Sequence, residues 1–265
     1  MRPSAAPTRS AAAFVLILAM AGIAAAPARA PAPTVDPSMA QPVATRLKPY
    51  LATGALDPMA IIGPPPAPGS AQGLADRSLF ETTRAMAGTP RWTQAQRDND
   101  LWNGAALKRY SCAIGHDIGE RTTPLTQRLL RRVELDVPAV SKPAKDFYDR
   151  KRPVVGNTLP ICVPREAWLD TNASYPSGHA MTGWAWGLIL AELLPAKATA
   201  ALDAGREVGQ SRIICGVHFA SDVEAGRVLG AAMVARLHAE PAFRADLQAA
   251  RRELARAPAP HDCEG

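Results

Sequence analysis

The sequence predicts an all-α protein, a single-domain helical bundle with central apolar helices and an extended, proline-rich N-terminal arm. Three observations support this fold class. Beyond residue 75, Ala, Leu, Arg and Glu dominate, and all four favour helices. The alternation of polar and apolar residues that is typical of half-buried strands is scarce. Proline and the capping residues Ser, Thr and Asp mark the ends of the helical segments.

The first segment, residues 1–30, has the pattern of a secretory signal peptide. Two arginines precede an apolar run that ends in small residues, and Ala28 and Ala30 occupy the positions that a signal peptidase prefers. We expect cleavage after Ala30, with cleavage after Ala26 as the alternative. The run is short for a membrane span, and no later stretch is long and apolar enough to cross a bilayer. The mature protein is therefore expected to be exported, with no stable insertion in the membrane.

The second segment, residues 31–75, is rich in Pro, Ala and Gly and is predicted to be an arm without regular secondary structure. Leu51, Ile61 and Ile62 give it apolar side chains that can pack on the domain.

Residues 76–265 are predicted to form the helical domain. The segments 181–194 and 224–237 are apolar on most sides, which predicts central helices, whereas 241–256 is amphipathic and predicts a peripheral one. The predicted helices are 76–87, 93–115, 124–133, 139–150, 178–194, 198–208, 218–238 and 241–256.

Charge and cysteine content exclude some functions. The net charge of +6 falls when the arginines of the signal segment are removed, and the other basic residues are interleaved with acidic ones, so no nucleic-acid partner is predicted. An even number of cysteines in an exported chain favours disulfides, with three possible pairings, and buried free thiols are the alternative. The four have no close spacing that would suit a metal, so no metal site is predicted. They are Cys112, Cys162, Cys215 and Cys263.

Three short motifs suit the binding and transfer of phosphate. Lys145 and Arg152 are two helical turns apart, so both can lie on one face of a helix that ends near Pro153 and grip an anion. Alone, such a pair is more typical of a solvated surface.

The second motif lies just before the apolar helix, where Ser177 and Gly178 can present a hydroxyl and free backbone N–H groups to an anion, with His179 beside it. A plain serine cap with a surface histidine is the alternative. In the third motif, Asp222 follows His218 by four residues, so its carboxylate can orient the imidazole as a nucleophile. A structural His–Asp pair is the alternative.

In order along the chain, Lys-x6-Arg-Pro, Pro-Ser-Gly-His and Ser-Arg-x5-His-x3-Asp resemble the signature of the phosphatidic acid phosphatase type 2 superfamily. Beyond the motifs, the chain resembles the bacterial class A nonspecific acid phosphatases. The further similarities are the proline run at 64–68, Gly-Thr-Pro-Arg-Trp at 88–92 and the segment 209–216.

This resemblance implies a periplasmic enzyme that hydrolyses phosphate monoesters without a cofactor through a phosphohistidine, possesses some phosphotransferase capacity and self-associates. It implies that Arg212 joins Lys145 and Arg152 as a cationic cradle, with Ser177 and Gly178 completing the phosphate contacts. His218 is the implied nucleophile, His179 the implied acid and base, and Asp222 orients His218. The resemblance also favours an acidic pH optimum.

Two other functions use similar residues. Vanadium-dependent haloperoxidases hold vanadate with the same constellation, and a non-catalytic periplasmic phosphate-binding protein needs only the cations and the helix end. A binding protein would not require a nucleophile and an acid, whereas both residue types are present at the expected spacing.

A disulfide from Cys215, with Cys162 as a candidate partner, would brace the phosphate loop.

Overall fold

The computed structural model describes residues 47–102 and 104–263, and these form α-helices and two short 3-10 helices with no strand among them. The prediction of an all-α fold is thereby confirmed. The signal segment 1–30 and the first part of the arm lie outside the described residues. The α-helices are α1 (Pro58–Ile62), α2 (Ala71–Thr83), α3 (Pro90–Asp98), α4 (Ala105–Ile114), α5 (Pro124–Tyr148), α6 (Trp168–Thr171), α7 (Gly178–Leu193), α8 (Ala198–Ile214), α9 (Ala220–Leu237) and α10 (Pro241–Leu254).

Helices α7 and α9 supply much of the central core, as their apolar sequences predict. Trp186 of α7 is fully buried and donates its indole N–H to the Leu130 carbonyl at 2.8 Å. Leu229 and Met233 of α9 are fully buried too. The amphipathic helix α10 buries one face at the periphery, including Phe243, as predicted.

Helices α7 and α8 approach closely because glycines face each other. A Cβ added to Gly205 would lie 2.7 Å from the Gly183 carbonyl, and one added to Gly187 would lie 2.9 Å from the Ala201 carbonyl. Larger residues would push the helices apart. This contact fixes α8, which ends at the third motif, against α7, which begins at the second.

Several predicted helix boundaries are wrong, and α8 runs to Ile214 rather than to residue 208. The segment 93–115 is two helices, α3 and α4, because the intervening chain includes Gly104 in the left-handed conformation at φ 95°. The segments 124–133 and 139–150 are one helix, α5, which continues through Pro138 and Pro143. Proline φ is compatible with a helix, and burial of the valines along α5 outweighs the lost backbone hydrogen bonds.

The arm is not free of regular structure. The described part of residues 31–75 contains α1 and the start of α2, so that expectation is wrong for these residues. Asp57 caps α1 and Ser70 caps α2 through their side chains. Leu51 is buried in the main core and its backbone N–H donates to Asp136 Oδ1 at 2.7 Å, so this part of the chain packs on the domain as its apolar residues indicate.

The cysteines form two disulfides, Cys112–Cys263 and Cys162–Cys215, and no free cysteine occurs in the described chain. The alternative of free thiols is therefore wrong. The second disulfide joins the segment before α6 to the end of α8, three residues before His218. Among the described residues, no helix is long and apolar enough to cross a membrane.

Candidate active site

The three motifs meet where α7 and α9 begin. The Ser177 N–H donates to the Asp222 carbonyl at 2.9 Å, and a Cβ on Gly226 would lie 2.5 Å from the Ser177 carbonyl, so α9 packs directly against the start of α7. Two details of the helical placement differ from expectation. Arg152 lies beyond α5, whose C-cap Asp149 is in the left-handed conformation, and His218 precedes α9, whose N-cap is Phe219.

His218 is buried and lies between a cation and a hydroxyl. Its Nε2 is 3.0 Å from Arg152 Nη1, and its Nδ1 is 3.3 Å from Ser174 Oγ. A guanidinium can only donate, so Nε2 is the acceptor and Nδ1 carries the hydrogen. The imidazole is thus held as the neutral tautomer whose Nε2 lone pair points at the cations, which is the state that a histidine nucleophile needs.

Hydrogen bonds connect His218 to Asp222 mainly through Ser174. The direct distance from Nδ1 to Asp222 Oδ2 is 3.5 Å, whereas Ser174 Oγ donates to the same oxygen at 2.5 Å. The Phe219 backbone N–H also donates to Oδ2, at 2.8 Å. Ser174 can accept from the imidazole and donate to the carboxylate at once, so it connects the two groups in one chain of hydrogen bonds.

The other oxygen of Asp222 is held by a residue that the motifs do not assign. Arg150 Nη1 donates to Asp222 Oδ1 and to Ser221 Oγ, both at 2.7 Å, and its Nη2 donates to Asp76 Oδ2 at 2.9 Å. Asp76 lies on α2, and its Oδ1 accepts the Ser221 N–H at 3.0 Å. Arg150 therefore links the Asp222 carboxylate to a second buried carboxylate behind it.

Lys145 and Arg152 are close neighbours, and both are largely removed from water. Lys145 Nζ donates to the Ala173 carbonyl at 2.5 Å, and burial, reinforced by the charge of Arg152, lowers the pKa of Lys145 to about 7. Arg152 donates to the backbone and side-chain oxygens of Asn172, each at 2.9 Å, and to the Val217 carbonyl. Burial lowers the pKa of Arg152 to about 10.

Arg212 completes the cationic group. Its guanidinium is buried, and its Nη1 donates to the side-chain oxygen of Asn99 at 2.5 Å. Burial, and then the charge of Arg152, lower the pKa of Arg212 to about 9. Asp222 acts on Lys145 and Arg152 but is already paired with Arg150, so the cluster has positive charge available for an anion.

Ser177 and Gly178 form the start of α7 as predicted. Ser177 is the N-cap and its Oγ accepts the Ala180 N–H at 3.3 Å, which leaves its own hydroxyl hydrogen free to donate. A Cβ on Gly178 would make only an ordinary contact, 3.7 Å from Val137, so packing does not demand glycine there. Close approach of a ligand to the backbone is another reason for a glycine at this position.

His179 lies in the first turn of α7, with Nε2 3.0 Å from the Asn99 carbonyl oxygen. Burial lowers the pKa of His179 well below its usual range, and the charge of Arg212 lowers it further. The pKa of His218 is lowered in the same way by burial and then by Arg152 and Lys145. A bound phosphate dianion would oppose these cations and restore the affinity of His179 for a proton.

Sequence reasoning missed Asp76, Asn99, Ser174 and Arg150 as site residues. Arg150 lies inside the first motif and Ser174 two residues before the second, where their positions beside charged and turn residues gave a weak signal. Asp76 and Asn99 are far from the motifs in sequence, and a polar residue on a predicted helix has no local mark of a buried role. Within the described chain, no group of three His, Cys, Asp or Glu side chains is arranged to hold a metal ion.

Comparison with known proteins places this geometry in a family. Residues 136–244 match the model of the PAP2 superfamily. The chain is 39% identical over 203 residues to an acid phosphatase of Zymomonas mobilis, covering 76% of each chain. It is 38% identical over 204 residues to a non-specific acid phosphatase of Providencia stuartii, covering 76% of this chain and 82% of the relative. A non-specific acid phosphatase of Salmonella typhimurium is 37% identical over 193 residues, with 72% and 77% covered.

Proposed function

The chain belongs to the acid phosphatases of the PAP2 superfamily, which are hydrolases of phosphate monoesters, and we propose that it works through a phosphohistidine on His218 without a metal ion. The observation that carries the proposal is the 3.0 Å contact between His218 Nε2 and Arg152 Nη1, because a guanidinium can only donate and Nε2 must therefore be unprotonated. Substrate phosphate would take the place of the nitrogen as the partner of that guanidinium.

In the first step the Nε2 lone pair of His218 forms the N–P bond while the bond from phosphorus to the leaving oxygen breaks. His179 gives a proton to that oxygen, so the alcohol leaves neutral. The Nδ1–H of His218 stays hydrogen-bonded to Ser174, and through it to Asp222, which stabilises the positive imidazole of the intermediate.

In the second step water attacks phosphorus and gives its proton to His179, and the N–P bond breaks with its electron pair returning to Nε2. Lys145, Arg152 and Arg212 meet the charge of the transferring group in both steps, a role that metal ions fill in other phosphoryl transfers. Ser177 and the backbone N–H of Gly178 add neutral donors at the positive end of α7.

The test compares wild type with His218→Ala in p-nitrophenyl phosphate hydrolysis at acid pH, with and without excess EDTA. Wild-type activity that resists EDTA and is lost in His218→Ala supports both parts of the proposal. His238 is a matched control, because it is half-exposed and paired with Glu192 away from the motifs, and His238→Ala should retain activity. Loss of activity with EDTA would contradict metal independence, and activity that survives in His218→Ala would overturn the assignment of His218 as the nucleophile.

A direct test of the intermediate is the mass of the protein after rapid quenching in alkali, where phosphohistidine persists. A single added phosphoryl group on wild type, absent from His218→Ala, supports the mechanism.

An alcohol could replace water in the second step, and the phosphotransferase activity proposed here then yields a new phosphate ester when an alcohol is supplied. Inactive wild type that oxidises halide with vanadate and peroxide, or only binds phosphate, would contradict the whole proposal.

Export and assembly complete the proposal. Cleavage of the signal segment 1–30 and release to the periplasm are consistent with the sequence pattern at the N-terminus. A homo-oligomeric state is proposed from the resemblance to the class A acid phosphatases alone. Intact mass of protein from a periplasmic extract tests the cleavage site, and light scattering of the same sample tests the oligomer. A mass that retains residues 1–30, or a monomer at all concentrations, would contradict the corresponding part.

A further inference from the structure

Asn99, at the end of α3, contacts two of the proposed functional groups at once. Its side-chain oxygen accepts from Arg212 Nη1 at 2.5 Å, and its backbone oxygen accepts from His179 Nε2 at 3.0 Å. We propose that Asn99 is a positioning residue that aims both the phosphate-binding guanidinium and the acid, and that its uncharged side chain leaves the charge of Arg212 available to phosphate. This inference rests on the proposed function, because it assigns a partner to two of its residues.

The charge of Arg212 is oriented by this amide without being cancelled. Arg212 makes no ion pair with any described residue, and its buried Nε has no hydrogen-bond partner. A buried cation is costly unless it is paired, so the guanidinium is left in a state that favours an incoming anion. A carboxylate in place of the amide would pair with the charge of Arg212 permanently and compete with phosphate.

The nearest carboxylate that acts on Arg212 is already committed elsewhere. Asp98 is fully buried and raises the affinity of Arg212 for its proton, but both of its oxygens are bound by Arg109, at 2.8 and 2.9 Å. Ser211 Oγ donates to the same carboxylate at 2.5 Å. Asp98 therefore serves to fix α3 against α4 and α8, which places the adjacent Asn99.

The backbone contact decides which nitrogen of His179 can exchange a proton with substrate. A carbonyl oxygen can only accept, so Nε2 of His179 carries the hydrogen that points to Asn99. Nδ1 is then the nitrogen left to give a proton to the leaving oxygen. Because Arg212 lowers the pKa of His179, a change of charge at Asn99 must also move the titration of the acid.

The decisive variant is Asn99→Asp, which keeps the shape of the side chain and adds one negative charge beside Arg212. We expect the inhibition constant of inorganic phosphate and KM to rise about 10- to 100-fold, the effect of losing one charge-assisted contact. The alkaline limb of the kcat/KM profile should move to higher pH, because the new charge favours protonated His179. Gln96→Glu is the matched control, since it adds the same charge on the exposed face of α3, and neither value should change.

Asn99→Ala separates orientation from charge. It removes the contact to Arg212 but adds no charge, so phosphate inhibition should weaken while the alkaline limb stays in place. Asn99→Asp or Asn99→Ala with wild-type phosphate inhibition and wild-type pH limbs would overturn the inference. A purely structural role would lower the melting temperature of both variants without separating them in pH dependence.

The variant Arg212→Met separates a failure of this inference from a failure of the proposed function on which it rests. If Arg212→Met weakens phosphate inhibition and Asn99→Asp does not, the role of Asn99 is wrong while the phosphate site stands. If Arg212→Met leaves phosphate inhibition unchanged, the assignment of Arg212 to the phosphate site fails, and the role of Asn99 fails with it.

Discussion

Arg150 Nη2 lies 2.9 Å from Oδ2 of Asp76, a carboxylate of α2 that is 3% exposed, while the other nitrogen of the same guanidinium binds Asp222. The site carboxylate is thereby attached to a helix that lies outside all three motifs. Breaking a buried pair of this kind by removing one partner costs about 3–5 kcal/mol, because the remaining charge is left unpaired. Removal of either partner alone should therefore destabilise the protein, and the intact pair holds Asp222 in one orientation.

The first prediction concerns Arg150→Lys, which keeps the charge but cannot bridge two carboxylates. We expect kcat to fall about 10-fold with KM little changed, because His218 loses orientation while the phosphate cradle remains. Steady-state kinetics with p-nitrophenyl phosphate measure the split. Lys151→Met is the control, since Lys151 is 61% exposed and pairs with the exposed Asp149. Wild-type kcat combined with a lowered melting temperature would restrict Arg150 to a structural role.

Sequence patterns were sufficient for the features that depend on neighbours in the chain. The start of α7 after Ser177 was predicted because a serine followed by an apolar run marks a helix start locally. The apolar segments of α7 and α9 were predicted as central because such helices must be buried.

The features that sequence patterns did not reveal depend on distant contacts. Asp76 meets Arg150 across 74 residues, and Asn99 meets Arg212 across 113, so nothing near either residue marks its role. The positions of Arg152 and His218 outside helices were missed for a related reason. Helical spacing places residues on one face only if the helix continues, and here α5 ends before Arg152 and α9 begins after His218.

The second prediction is an acidic optimum for kcat/KM. Burial and the neighbouring cations lower the pKa of both His218 and His179 well below 6.5. The proposed mechanism needs His218 neutral, and its lowered pKa keeps it neutral in mild acid. The mechanism also needs His179 protonated, and its lowered pKa means that this form is lost as pH rises, so activity should fall on the alkaline side at acid rather than neutral pH.

The pH profile is checked between about pH 3 and 9 for both kcat/KM and kcat, where ordinary histidine titration would be visible. Bound phosphate counteracts the cations, so the alkaline limb of kcat should lie at higher pH than that of kcat/KM. A profile that is flat across this range, or limbs in the opposite order, would contradict the assignment of the two histidines.

The third prediction concerns the charge of Lys145. Its pKa of about 7 in the free site means that the ammonium is lost as pH rises through neutrality, and with it one attraction for a dianion. Tungstate is a suitable probe, because this tetrahedral dianion does not itself titrate above neutral pH. We expect its affinity to fall between about pH 7 and 9 and its binding to be accompanied by proton uptake.

Calorimetry in two buffers of different ionisation enthalpy measures the protons taken up. Lys145→Met should bind tungstate more weakly at pH near 6 and should lose most of the pH dependence. Equal proton uptake by wild type and Lys145→Met would show that another group titrates.

The fourth prediction separates the two disulfides. Cys162–Cys215 joins two cysteines that are 53 residues apart in sequence and lies next to His218. Cys112–Cys263 joins cysteines that are 151 residues apart and attaches the C-terminal end to α4. Either loss should destabilise the protein by about 2–5 kcal/mol, measured by denaturant unfolding. Only Cys162→Ala/Cys215→Ala should also lower kcat in the folded protein, and Cys112→Ala/Cys263→Ala is the matched control. Reduction that leaves activity and melting temperature unchanged would contradict the bracing role.

The fifth prediction tests the packing that brings the motifs together. In Gly226→Ala the new Cβ would lie 2.5 Å from the Ser177 carbonyl oxygen and 3.1 Å from the Ala180 Cβ, so α7 and α9 must separate. Such overpacking costs about 1–3 kcal/mol and should displace Ser177 from the phosphate site, raising KM for p-nitrophenyl phosphate. Gly69→Ala is the control, because no atom lies within 4 Å of its added Cβ, and it should be neutral or slightly stabilising. Unfolding curves and KM measured on both variants decide the matter: a destabilised Gly226→Ala with wild-type KM would mean that the start of α7 does not contact the substrate.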